Sequence, residues 1–200
     1  MGVEIEAKMR LDDVDALVAR LVSAGAKPCA DTIEINAYFD RHSGSLRASD
    51  RGLRLRVERP APGAPKPPDP MVTLTYKGPC VSGEVKQRTE IQVGVDDAHA
   101  ATELLEALGY SARRRFEKHR RRWELGGCFV DIDTLPYLGD FVEIEGPSKQ
   151  AVLAVRRDLE LESTPLIQTS YIALLETHLA QNGITTDSVL LGGPPARPRG

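Results

Sequence analysis

In several stretches of this chain, acids and bases recur at every second position. Glu4, Glu6 and Lys8 alternate with Val3, Ile5 and Ala7, Arg54 and Arg56 with Leu53, Leu55 and Val57, and Thr73, Thr75 and Lys77 with Val72, Leu74 and Tyr76. Glu84, Lys86, Arg88 and Glu90 share one parity, as do Lys118, Arg120 and Arg122; Asp131 and Asp133 oppose Val130 and Ile132, and Glu143 and Glu145 oppose Val142 and Ile144. Successive side chains of a strand point to opposite faces, so each stretch sorts its charges onto one face. The acids Glu4, Glu6, Asp131, Asp133, Glu143 and Glu145 offer hard oxygen ligands suited to Mg²⁺ or Mn²⁺. The bases Lys8, Arg54, Arg56, Lys77, Lys86, Arg88, Lys118 and Arg120 exceed what these acids neutralise once a divalent cation is bound. A polyanion completes the balance, because arginine forks match phosphate oxygens and lysines act as point charges.

The elements carrying these residues read as strands and helices in alternation. Helical spacing of apolar residues marks "LDDVDALVARLVSAGA", "DDAHAATELLEALG", "SKQAVLAVRRDLEL" and "TSYIALLETHLAQNG". Strands are predicted at the opening segment, "TIEINAYFD", "RGLRLRVER", "MVTLTYKG", "GEVKQRTEIQV", "EKHRRRWEL", "CFVDIDTL" and "DFVEIEG", with the Pro-rich stretch 60–70 as a loop. Hairpin-length connections favour antiparallel pairing and an α+β class. An open sheet with one wet face accounts for any single strand. It accounts less well for the whole set, where both signs are dense and several strands repeat one charge at i, i+2. A sheet curled into a barrel turns the apolar faces outward beneath the helices and the charges inward, where they must pair, stay hydrated or bind ions.

Two hundred residues with 41% hydrophobic content support one core, and a net charge of −3 with a pI near 5.9 gives no global sign of a nucleic-acid or acidic-membrane partner. Cys29, Cys80 and Cys128 are in no metal-ligand spacing and read as thiols of a reducing compartment. No apolar run reaches spanning length, so a cytoplasmic protein with no membrane partner is expected. The run "HRRRW" is split by parity and makes a poor nucleic-acid patch. Residues 1–183 are expected to form a single domain, and 184–200 a tail without periodicity.

"EIEAK" resembles the ExExK signature of the CYTH superfamily, the triphosphate tunnel metalloenzymes, which includes class IV adenylate cyclases and thiamine and inorganic triphosphatases. The resemblance continues in order through "AYFD", "LRLR", "LTYKGP", "VKQRTEIQV", "EKHRRRW", "DIDTLPYLGDFVEIEG" and "TSYIALL"; the last two look most like the cyclase branch. It implies an antiparallel eight-stranded barrel with helices packed outside. It implies metal ligands at Glu4, Glu6, Asp133, Glu143 and Glu145, with Mg²⁺ or Mn²⁺ as cofactor and Asp131 in support. Phosphate-binding positions fall at Lys8, Arg54, Arg56, Lys77, Lys86, Arg88, Lys118 and Arg120. Tyr38 and Lys77 match a pair that helps activate an attacking water, and Glu90 orients neighbouring bases. The expected partner is ATP or another triphosphate, with a homodimer left open. The chain departs from its relatives at Asn36, Pro136 and Tyr137. Three functions stay in play: a cyclase turning ATP into cyclic AMP and pyrophosphate, a triphosphatase, and a polyphosphate-binding module without turnover.

Overall fold

A computed structural model of the chain describes residues 2–64, 71–81 and 83–192. Its elements run β1 (Gly2–Arg10), α1 (Val14–Ser23), β2 (Lys27–Arg41), α2 (Ser45–Ala48), β3 (Gly52–Pro60), β4 (Val72–Val81) and β5 (Lys86–Gly94). They continue as α3 (Ala98–Ala107), β6 (Tyr110–Leu125), β7 (Cys128–Leu135), β8 (Gly139–Glu145), α4 (Lys149–Asp158), α5 (Tyr171–Gln181) and β9 (Ser188–Val189). Antiparallel pairing follows the order β2-β3-β4-β5-β1-β8-β7-β6, and β6 returns to β2, so eight strands close into a barrel. The closing ladder is the longest, running from Lys27↔Glu124 to Arg41↔Tyr110 with irregularities at Pro28/Ala30 and Tyr38/Phe39. Both of its strands exceed their expected lengths. "KPCAD" and "YSARRR" carry little apolar alternation of their own, and their mutual pairing extends them.

Closure leaves the apolar parity facing outward. Ala7, Met9, Val130, Ile132, Val142 and Ile144 pack beneath α1 and α4, which bury Leu17, Leu21, Val152 and Val155. Helix α1 starts where the Asp13 side chain accepts a hydrogen bond from the Ala16 amide at 2.9 Å. Helix α3 buries Leu105 against Phe39 and Leu55. The β6–β7 turn is Gly126–Gly127 with φ of +58° and +74°. Two consecutive left-handed residues suit a tight hairpin, and glycine takes that conformation without a Cβ clash.

Helix α5 behaves differently from the other long helices. Tyr171, Leu175 and Leu179 pack on Phe116, Leu135 and Phe141, which share strand parity with Lys118, Asp133 and Glu143 and so face inward. The pairing pattern supplies the reason: β7 reaches only as far as His119 on β6, and beyond it the edge of β6 away from β2 is paired only with β9, at Arg115 and Phe116, among the described residues. Helix α5 fills that gap and becomes part of the lumen wall.

Part of the expected tail is also built in. Ile184 packs beside α5, and Val189 is 2% exposed against β6. A two-residue strand is too short to show periodicity. Residues 65–70 of the Pro-rich loop and 193–200 of the tail lie outside the described residues. Among those described, no helix is long and apolar enough to cross a membrane.

Candidate active site

The inward parity of the barrel lines a cavity of about 1090 Å³. Every residue expected at the site faces it except Asp131 and Asp133. The cavity walls are a lattice of ion pairs. Lys8 Nζ lies 3.1 Å from Glu143 and donates to the Thr169 carbonyl. Lys77 donates to Glu4 at 2.6 Å and pairs with Glu90 at 2.9 Å. Lys86 donates to Glu6 at 2.5 Å, Arg56 pairs with Glu34 at 2.9 Å, and Arg88 reaches Asp50 at 3.2 Å. Arg120 is the hub: its guanidinium contacts Asp133 twice, at 2.6 and 2.7 Å, Asp131 at 2.7 Å and Glu143 at 2.6 Å.

These pairs set the charge states. Burial pushes the Glu143 carboxyl up, but Lys8, Arg120, Lys118 and Lys86 together hold it well below the usual carboxylate range. Burial likewise disfavours the Arg120 cation, yet Asp131, Asp133 and Glu34 keep it firmly protonated. Burial and Arg54 both work against the charged form of Lys77, while Glu4 and Glu90 outweigh them and raise its pKa above that of an ordinary lysine. Lys77 is therefore held as a cation between two carboxylates, and it lines the cavity together with Tyr38, its expected partner in activating water. No hydrogen bond joins the two; Tyr38 instead stacks on Phe116, with ring centroids 6.0 Å apart.

The expected metal set is corrected in part. Asp133 is fully buried, and its two oxygens are taken by Lys118 and Arg120. Strand parity gave its face but not its depth. Among the described residues no group of three or more acids, histidines or cysteines gathers as a ready-made metal cage. Glu6 has Lys86 to itself and Glu143 has both Lys8 and Arg120, whereas Glu4 shares Lys77 with Glu90 and Glu145 makes no ion pair among the described residues, which leaves Glu4 and Glu145 as the under-neutralised pair. Glu4 Oε2 is buried without a hydrogen-bond partner among the described residues. Burial first, then the charges of Glu4 and Glu90, push Glu145 up to about 7 against the pull of Arg122 and Lys77. Two buried carboxylates repelling each other suit a hard cation, and Mg²⁺ is commonly held by one or two carboxylates with phosphate oxygens completing its shell.

The raised Glu145 value makes a stability prediction. A carboxyl whose folded pKa lies above its unfolded one favours the fold below about pH 4.5 and loses that advantage as pH rises through 7. In metal-free buffer, Glu145→Gln is expected to be more stable than the parent at pH 8, by up to about 3 kcal/mol, with the gap closing by pH 4.5. Urea unfolding at the two pH values measures it; an equal gap at both would show that the carboxylate is not strained.

Two lumen residues escaped the sequence. Glu34, 1% exposed, faces Arg56, Lys118 and Arg120 and is the central counter-charge of that wall. In "TIEINAYFD" the other acid, Asp40, lies six residues on, so Glu34 lacks the i, i+2 repeat that singled out the others. Arg114 shares the parity of Lys118 and lines the cavity, but it precedes the expected start of its strand.

Comparison with known proteins adds a second line. The CYTH domain family matches this chain over residues 2–171. Adenylate cyclase CyaB of Aeromonas hydrophila is 29% identical over 189 residues, covering 90% of this chain and 92% of its own length. A Methanocaldococcus jannaschii protein provisionally named an adenylate cyclase is 25% identical over 181 residues, 86% of this chain and 98% of its own. Among solved structures, a Pyrococcus horikoshii protein superposes with a TM-score of 0.73 at 27% identity, covering 87% of this chain and 98% of its own.

Proposed function

This chain belongs to the CYTH domain family, and from that premise we propose that it is a metal-dependent adenylate cyclase of the class IV type, converting ATP to cyclic AMP and pyrophosphate. The observation that carries the triphosphate part is the closed, cation-rich lumen, with Arg54, Arg56, Lys86, Arg88, Lys118 and Arg120 on its walls. The cyclase part rests on the named relatives from Aeromonas hydrophila and Methanocaldococcus jannaschii. There is no glycine-rich phosphate loop, so side chains must hold the phosphate chain. The cations neutralise phosphoryl oxygens, and because all of them but Arg54 are already fixed by carboxylate partners, little reorganisation is needed as charge develops. Lys77, kept protonated between Glu4 and Glu90, serves as part of this clamp. A divalent cation held at Glu4 and Glu145 would supply further charge neutralisation on phosphoryl oxygens. In cyclisation the ribose 3′-hydroxyl attacks the α-phosphorus and pyrophosphate leaves, so the site must hold ATP folded with those atoms in line.

Incubating the purified protein with ATP, inorganic triphosphate and thiamine triphosphate, with Mg²⁺ or Mn²⁺ and with a chelator, tests this. Cyclic AMP and pyrophosphate from ATP are expected, and none in chelator. Orthophosphate release without cyclic nucleotide would replace the cyclase with a triphosphatase. Binding without turnover of any of the three would make the protein a polyphosphate-binding module.

A further inference from the structure

Two guanidinium groups stand outside the ion-pair lattice. Arg54 donates only to Thr75, at 3.5 Å, and its buried Nε has no partner among the described residues. Arg114 makes no hydrogen bond or ion pair among the described residues, although its Nε and Nη1 are both buried. The backbone places the two on either side of one residue: Tyr38 is the Cα partner of Arg114 on β6 and of Arg54 on β3. Adjacent strands lie about 4.8 Å apart, so two steps separate these Cα atoms by roughly 10 Å, a span that two arginine side chains can close onto one group. Both line the cavity. The closing ladder is irregular at Tyr38/Phe39, and bulges at barrel rims commonly re-aim side chains toward a site.

A buried charge without a partner is costly, and native proteins keep few of them. Thr75 also donates to Gln92 at 3.3 Å, and although burial works against the Arg54 cation, Tyr38, Glu34, Glu90 and Glu4 favour it from beyond ion-pair distance, without occupying its fork. Glu176, an acid that lines the cavity and comes from α5, is taken by Arg47 at 2.7 Å. The lattice cations each have an acid in direct contact, whereas Arg54 has none at ion-pair distance and Arg114 has no hydrogen bond or ion pair among the described residues, so both guanidinium groups keep donors free for an incoming anion.

We infer that Arg114 and Arg54, flanking Tyr38, form a seat for one phosphoryl group of the substrate's phosphate chain. The inference rests on the triphosphate reading above and adds Arg114 to the binding residues. A phosphoryl group accepts from two forks at once, which satisfies both guanidiniums and fixes the chain's register along the lumen. If Arg114 were present for packing alone, removing it would weaken the ligand-free fold. If it awaits an anion, removing it relieves an unpaired buried charge.

Titration calorimetry of the full chain with inorganic tripolyphosphate in Mg²⁺, paired with thermal unfolding without ligand, separates these roles. Arg114→Met is expected to weaken tripolyphosphate binding about 10- to 100-fold, with ligand-free Tm equal to or above that of the parent. Arg114→Lys should recover part of the affinity, since it restores the charge without the fork. If the parent binds tripolyphosphate and Arg114→Met binds it equally well, the seat is overturned while the triphosphate reading stands. A lowered ligand-free Tm in Arg114→Met would assign the residue to packing and likewise overturn the seat. A parent that binds no tripolyphosphate would overturn both.

Discussion

Replacing Arg120 with methionine is expected to cost about 3–5 kcal/mol of folding stability, the usual result of removing one side of a buried ion pair. Arg120 touches Asp131, Asp133 and Glu143 at 2.6–2.7 Å, and Glu34 lies 3.5 Å away. Methionine fills similar space, so packing is largely kept, but these buried carboxylates lose their shared counter-charge. In a protein of this size the loss should lower Tm by roughly 6–20 °C. Lys118, Lys8 and Arg122 remain beside Asp133, Glu143 and Asp131, and because under-neutralised buried carboxylates protonate more readily, the penalty should shrink as pH falls toward about 4. Adding Asp133→Asn to Arg120→Met should recover part of the loss, because one of the stranded charges is then gone. Thermal unfolding of the two variants at pH 7 is the measurement. A single variant within about 0.5 kcal/mol of the parent would mean that the hub is dispensable.

Glu4→Gln should do the opposite, leaving the fold intact and removing activity. Glutamine still accepts from Lys77, which keeps Glu90 as its partner, and neutralising residue 4 relieves repulsion on Glu145. What is lost is one of the two carboxylates proposed above to hold the divalent cation. A ligand that supports about 4 kcal/mol of transition-state stabilisation corresponds to roughly a thousandfold in rate. Steady-state turnover, measured beside Tm, checks both halves. Unchanged turnover at low metal concentration would move the cation site elsewhere. Glu143 is a less clean target for the same test, since it also anchors Lys8 and Arg120.

The charged parity of β1, β3, β4, β7 and β8 was legible because each strand repeats like residues at i, i+2 and opposes them with mainly apolar ones, while β5 repeats its charges against a mixed face. That pattern alone leads to a barrel with a charged lumen. It does not reveal which acid meets which base, since register between distant strands is a property of the closed sheet. Asp133 illustrates the gap: its face was correct, but pairing with Arg120 draws it behind the wall and away from the cavity. Arg114 was missed because "SARRR" lacks aliphatic alternation and becomes strand only by pairing with β2. The inward seat of α5 was hidden for a related reason. An apolar helical stripe states that one side is buried, and says nothing about which surface buries it.

The β2–β6 ladder also governs how the chain reaches this state. Its partners are separated by α2, β3, β4, β5 and α3, whereas β3–β4, β4–β5, β6–β7 and β7–β8 are all neighbours in sequence. Hairpins close cheaply, but joining β2 to β6 requires the entropy of a long loop to be overcome before any bond is gained. The seam is therefore a late event in folding. Until it forms, the lumen charges still face water and carry no desolvation penalty. Together with the still more distant β1–β8 pairing, this closure dehydrates the lumen and creates the electrostatic environment of the site, so its speed should respond to ionic strength more than that of the hairpins.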